Sequence, residues 1–213
     1  MTPVLYSFRR CPYAIRARLA LQAAGQMVEL REVELKAKPP EMMIASPKAT
    51  VPVLVLPGRI LEQSLDIMLW ALRLNDPQAW LPQPSDMDAT LKTIAENDGA
   101  FKHHLDRYKY PHRYQLSSGI EDRDTGAEFL QGLNSTLQLS PHLAGESWGL
   151  LDAALAPFVR QFAHTDACWF AAQDWQALLQ WLQAFEVSDA FNQAMKKFAP
   201  WKAGEPPLTC FQG

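Results

Sequence analysis

One cysteine and its neighbours raise the chemical question in this chain. In Ser7-Phe8-Arg9-Arg10-Cys11-Pro12-Tyr13-Ala14-Ile15-Arg16 a thiol follows a short apolar run, Pro3 to Tyr6. After it comes a stretch of Ala, Leu and Arg whose apolar residues, Ala14, Ile15, Ala17, Leu19, Leu21 and Ala24, fit a helix. Pro12 suits the first helical position, where its missing N–H costs nothing, and Gly25 suits the stop. Cys11 is therefore expected at a strand-to-helix turn. Sulfur placed there faces unpaired backbone N–H groups and the positive end of the helix dipole, both of which favour thiolate. Arg10 and Arg16 stand on either side of it in sequence. Thiols in such settings have pKa values of roughly 3.5–7.5, against about 8.5 for a free one. The competing expectation, a small buried hydrophobe, is the commoner fate of cysteine. The Cys-Pro placement between arginines favours the nucleophile.

Ala14 limits what that nucleophile can do. A dithiol motif of Cys-x-x-Cys form needs a second thiol at that position, and none is there. Cys168, flanked by Ala167, Trp169 and Phe170, reads as a buried core thiol, while Cys210 lies in a proline-containing tail and can be exposed. A mixed disulfide at Cys11 must then be cleared by an external thiol.

The surrounding elements read as a small α/β unit of about 75 residues. Val28 to Leu35 alternates apolar and charged, as a half-buried strand does. Lys36 to Ala49 is polar, with a short apolar turn at Met42-Met43-Ile44. Val53 to Leu56, the turn Pro57-Gly58, and Arg59 to Leu61 form an antiparallel pair. A helix from Leu65 to Leu74 follows, with Ser64 as its expected N-cap. Strand–helix–strand at the start implies a parallel pair joined by a right-handed crossover. Pro52, just before a strand, can be cis and can hold Val51 with its backbone open to an extended peptide. Ser64 and the first N–H groups of its helix can form a carboxylate site.

Together the Cys11-Pro12-Tyr13-Ala14 turn, Val51-Pro52 and Gln63-Ser64-Leu65-Asp66-Ile67 resemble the cytosolic glutathione transferase family, most closely its cysteine-type, omega-like and glutaredoxin-like branches. The resemblance implies a thioredoxin-like α/β N-terminal domain followed by an all-α helical C-terminal domain. It implies that Cys11 forms a mixed disulfide with glutathione, the co-substrate, with Tyr13 beside it. The backbone of Val51, before Pro52, would pair with the cysteinyl part. Gln63 and Ser64 would bind the γ-glutamyl group, although the family often has glutamate where Gln63 stands, and Gln63 carries no full charge. Glu62 should point to the other face of its strand. Lys38 or Lys48 would meet the glycyl carboxylate. Phe101, Leu105 and Tyr108 would line a pocket for a second substrate, a small electrophile or disulfide, on a helix bordering the cleft that faces Cys11. A homodimer is implied as well. The alternative is a glutathione-fold binding or regulatory protein without turnover.

Composition sets bounds on these readings. The chain has 213 residues, enough for two small domains, and 48% hydrophobic with 20% charged residues is the profile of a soluble globular protein. A net charge of −3 argues against a general nucleic-acid binder. The basic-aromatic stretch Phe101 to Tyr114 is read as a helix with one buried face. No run approaches the roughly 20 apolar residues of a membrane span, and no secretory leader is visible. Three scattered cysteines form no disulfide framework, so a reducing cytoplasm is expected. The expected domains are 1–75 and 87–213, joined by a proline-rich linker at 76–86. Helices are expected near 86–110, 122–138, 149–164, 174–186 and 188–199. Asp152, after Gly149, is expected to tie off a helix N-terminus. The stripe Trp175, Leu178, Leu179, Trp181, Leu182 and Phe185 is expected in the core. His103 and His104, consecutive on a helix, should point about 100° apart, so no metal site is expected.

Overall fold

A computed structural model of the chain describes residues 2–211. Two compact units emerge, one of residues 1–80 with 188–213, the other of residues 81–187. The sequence alone assigns 188–213 to the helical domain; in the structure the described part of this segment, 188–211, packs with the N-terminal unit.

In the first unit the order is β1 (Val4–Ser7), α1 (Pro12–Ala23), β2 (Val28–Glu32), α2 (Pro40–Ala45), β3 (Val53–Leu56), β4 (Arg59–Leu61) and α3 (Ser64–Leu74). β1 and β2 are parallel, with Leu5 opposite Leu30, and β3 and β4 are antiparallel neighbours, giving the order β4-β3-β1-β2-β5, where β5 is Thr209–Cys210. The strand expected over 28–35 stops at Glu32, and the turn at Met42 is a short helix opened by two prolines.

Period-two alternation divides the sheet's residues between its faces. Tyr6, Val33, Met42 and Val53 cluster with Val4, Val51 and Val55. Leu5 and Ser7 alternate with these, and Ser7 Oγ accepts a hydrogen bond from Arg18 of α1 at 2.8 Å. α1 is buried along nearly its whole length and packs against α3 and α10 (Asp189–Ala194). That explains two arginines among its buried residues. Arg18, fully buried, pairs with Glu32 and donates to the Ala194 carbonyl at 3.1 Å. A buried charge is tolerable only with such partners.

The fifth strand was not expected. Thr209–Cys210 forms β5, antiparallel to β2, so the tail expected to drape over the surface instead extends the sheet. Trp201 N–H donates to the Glu32 carbonyl at 2.8 Å, and its ring lies 4.1 Å from the Arg31 guanidinium. Arg31 in turn donates to the Tyr6 hydroxyl at 2.7 Å. Cys210 is half-buried there, whereas Cys168, expected in the core, is exposed: α8 (Ala167–Ala171) turns Phe170 inward instead.

The second unit is helical. It contains α4 (Met87–Glu96), a π-helical turn at Asn97–Phe101, α5 (Lys102–Lys109), α6 (Ile120–Leu137), α7 (Leu150–Ala163), α8 and α9 (Gln176–Val187). α7 is its buried centre. Asp152, fully buried, accepts from the N–H groups of Leu143, Ala144 and Gly149 and from the Trp181 indole, at 2.8 to 3.2 Å. The structural role expected for it thus extends beyond the cap to the preceding loop and to α9. Trp175, Leu178, Trp181, Leu182 and Phe185 are buried, as their spacing required, whereas Leu179 of the same stripe is only partly buried. Among the described residues no helix is long and apolar enough to cross a membrane.

Candidate functional site

Cys11 stands at the N-cap of α1 with extended backbone (φ −83°, ψ 121°). Its N–H donates to the Phe8 carbonyl at 3.0 Å, and its own carbonyl accepts from Ile15 at 2.9 Å. A sharp turn after β1 is thereby fixed, and Pro12 starts the helix without wasting a donor. The sulfur makes no capping bond to the helix; it lies half-buried, 3.7 Å from the Val51 carbonyl oxygen. In that contact the thiol donates and the carbonyl accepts.

Val51 itself precedes a cis peptide bond to Pro52, and Ala49, two residues back, sits in the left-handed region at φ 55°. A non-glycine residue there is strained, and such positions gather at functional sites. This bend and the Cys11 turn face each other across the sulfur–carbonyl contact.

The third expected segment joins them through α1. Gln63 is the N-cap of α3, and Ser64, expected there, is instead the first helical residue; neither side chain caps the helix. Ser64 is otherwise occupied, accepting a hydrogen bond on Oγ from Arg16 Nε at 2.9 Å. Both side chains are buried, Arg16 at 1% and Ser64 at 3% exposed. Arg16 also lies over the Tyr13 ring, 5.0 Å from its centroid. The sequence reading treated Arg16 as a cation beside Cys11; the structure commits it to Ser64 and Tyr13. Arg10 is exposed and stacks on Phe8, 5.4 Å from the ring centre. The role of Arg16 was missed, though a cation inside the apolar run Ala14 to Leu21 signals a buried polar partner.

Other expected residues distribute as follows. Gln63 is exposed at the α3 N-terminus. Glu62 turns to Ser46, whose hydroxyl donates to it at 2.5 Å. Lys38 and Lys48 are exposed. Phe101 and Leu105 are buried within the helical unit, 2% and 0% exposed, where Phe101 stacks on Phe162 at 5.6 Å. Their place is in that unit's packing, because their face of the helix meets α6 and α7. Tyr108 is half-buried against Phe162, with its hydroxyl pKa pushed above 10.0 by burial.

Among the histidines the geometry departs from expectation. The rings of His103 and His104 meet edge to face at 5.2 Å, and Asp122 of α6 reaches them, Oδ1 lying 2.8 Å from His104 Nδ1. One ligand-type atom from each of the three lies within 4.8 Å of the others. Side-chain torsions close the 100° gap that the backbone alone would leave.

Residues 5–79 match the family described as Glutathione S-transferase, N-terminal domain. Along most of its length the chain is similar to the Stringent starvation protein A homolog of Haemophilus influenzae, 26% identical over 201 residues, 92% of this chain and 91% of that one. Its fold is that of a glutathione transferase family member from Pseudomonas fluorescens solved with two glutathione bound (TM-score 0.77, 17% identity, covering 91% of this chain and 92% of that one). Glutathione transferase Omega 3C from Trametes versicolor is similar too (TM-score 0.76, 20% identity, covering 91% and 84%). Residues 5–79 thus match the glutathione S-transferase N-terminal domain family, in a chain with the glutathione transferase fold: a thioredoxin-like unit and a helical region.

Proposed function

We propose that this chain is a glutathione-dependent enzyme in which Cys11 performs thiol transfer on small disulfides or electrophiles. The observation that carries the reading is the contact of Cys11 Sγ with the Val51 carbonyl at 3.7 Å, on the same helix whose Arg16 holds Ser64. A tripeptide thiol laid along Val51 would present its sulfur to Cys11 and its γ-glutamyl carboxylate to the α3 N-terminus. Arg16 Nε–H donates to Ser64 Oγ, so the serine's own hydrogen is left to donate to that carboxylate.

In the reaction, the Cys11 proton leaves the sulfur, and the thiolate attacks the glutathionyl sulfur of a mixed disulfide R–S–S–G. The S–S bond of R–S–S–G breaks, RS⁻ takes up a proton, and Cys11 is left joined to glutathione. A second glutathione thiolate then attacks the glutathione sulfur of that Cys11-bound disulfide, releasing oxidised glutathione and regenerating Cys11. The balance is one mixed disulfide and one glutathione thiol in, one RSH and one oxidised glutathione out. Ala14 in place of a second cysteine makes the external thiol necessary. Replacing Cys11 with serine should abolish reduction of a glutathionylated substrate while glutathione still binds. Retained turnover in that variant would overturn the assignment.

A second reading is a glutathione-fold regulatory protein without turnover. Gln63, an amide where relatives often carry an acid, favours it, as does the full-length similarity to a Stringent starvation protein A homolog. Measuring the Cys11 pKa by alkylation rate separates the two: a value near 8.5, that of a free thiol, supports the second reading.

A further inference from the structure

We infer that His103, His104 and Asp122 form a binding site for a borderline divalent cation such as Zn²⁺ in the helical unit, independent of the thiol site. Two imidazoles and a carboxylate are a ligand set that Zn²⁺ accepts, and three protein ligands leave further positions for solvent. One ligand-type atom from each residue already lies within 4.8 Å of the others. With metal–ligand distances of about 2.0–2.2 Å, tetrahedral ligands sit about 3.3 Å apart. His103 is exposed, so its ring can turn to close that difference. His104 Nδ1 and Asp122 Oδ1, now 2.8 Å apart, need only spread slightly for a cation to replace the proton they share.

The surrounding structure fixes the carboxylate in place. Arg107 Nε donates to both Asp122 oxygens, at 2.9 and 3.0 Å, and each oxygen keeps a second lone pair. Such outer partners orient metal ligands. Gly119 lets the start of α6 lie close to α5, and Gly126 lets α6 lie close to α7. A Cβ on Gly126 would stand 2.9 Å from the Phe162 ring and 3.7 Å from His104 Cβ, and one on Gly119 would stand 2.5 Å from the Tyr108 carbonyl oxygen. The π-helical turn at Asn97–Phe101 ends just before His103, and such turns recur at functional sites. His104 also lines a cavity of about 420 Å³ with Glu96, Phe101, Gly126 and Phe129, which gives solvent access.

The test is titration of Zn²⁺ into the chelator-treated full-length chain, read by calorimetry and by imidazole NMR resonances. The chain has five histidines, so the shifting pair can be identified. The inference requires one equivalent to shift the resonances of His103 and His104, and affinity to fall at least tenfold in His103→Ala, with the thermal midpoint in chelator unchanged. His112→Ala, another exposed histidine on the same segment, should bind as the parent does. Equal affinity in parent and His103→Ala, or an equal loss in His112→Ala, overturns the site and places the cation on thiols or scattered histidines.

Discussion

Ser64→Ala is the most informative perturbation of the proposed glutathione site, because its cost can be worked from one contact. The hydroxyl accepts from Arg16 Nε at 2.9 Å, with both residues under 4% exposed. Hydrogen bonds to charged groups contribute about 1.5–3 kcal/mol, and a buried donor left without its acceptor costs about 1–3 kcal/mol or more. A loss near 2 kcal/mol is expected, roughly a thirtyfold shift in the folding equilibrium. For a chain of this size that is about 4–8 °C in the thermal midpoint. Arg16→Met loses the same bond and the contact with the Tyr13 ring but also removes the buried charge, so the double variant should be more stable than the summed losses imply. The expected coupling is about 1–2 kcal/mol, above the roughly 0.3–0.5 kcal/mol seen between independent sites. Urea unfolding of the four proteins, followed by near-ultraviolet circular dichroism, measures it. Glutathione affinity, by calorimetry, should fall in both single variants, since Arg16 acts on the ligand through Ser64. Strictly additive losses, or a Ser64→Ala variant with parental stability and affinity, would refute the reasoning.

Other outcomes follow from single features. Gly119→Ala forces a methyl group against the Tyr108 backbone, and a loss of about 1–3 kcal/mol is expected in equilibrium unfolding. Asp152→Ala orphans four donors, three of them buried, and should cost about 3–5 kcal/mol, with loss of the Trp181 near-ultraviolet signal. Burial pushes the Cys210 thiol above 9.0 against the pull of Arg18 and Lys196, and pushes the Tyr6 and Tyr108 hydroxyls above 10.0. The unfolded chain therefore releases these protons first, and stability should fall as pH rises past about 9. Cys210→Ser should flatten the early part of that fall, as thermal midpoints between pH 8 and 11 would show. Iodoacetamide at pH 8 should modify exposed Cys168 faster than half-buried Cys210, as mass spectrometry of digests can follow.

Much of the site was legible because turns and caps are local. Pro12 at a helix start, Gly25 at its end and Pro52 before a strand each constrain their own backbone, and the structure has all three where the residues require. The partners of Arg16 and Arg18 were not legible, since Ser64 and Glu32 are distant in sequence and either arginine reads equally well as a surface cation. His103 and His104 show the same limit. Helical geometry fixes where their Cβ atoms point, but α6 and side-chain torsions decide where the rings meet. Phe101 and Leu105 show the opposite limit: an apolar position on a helix says that it is covered, not what covers it. Likewise the strand β5 is too short, and its tail too rich in proline, for periodicity to register.

That late strand sets a constraint on biosynthesis. Synthesis runs from the N-terminus, and early domains usually fold as they emerge. Here the Arg18 guanidinium, the Glu32 backbone carbonyl and the outer edge of β2 wait for α10, Trp201 and Thr209. Until those residues leave the ribosome, a half-made sheet holds a buried-type charge pair and an unpaired border, a state in which a nascent chain invites chaperones or sticks to its neighbours.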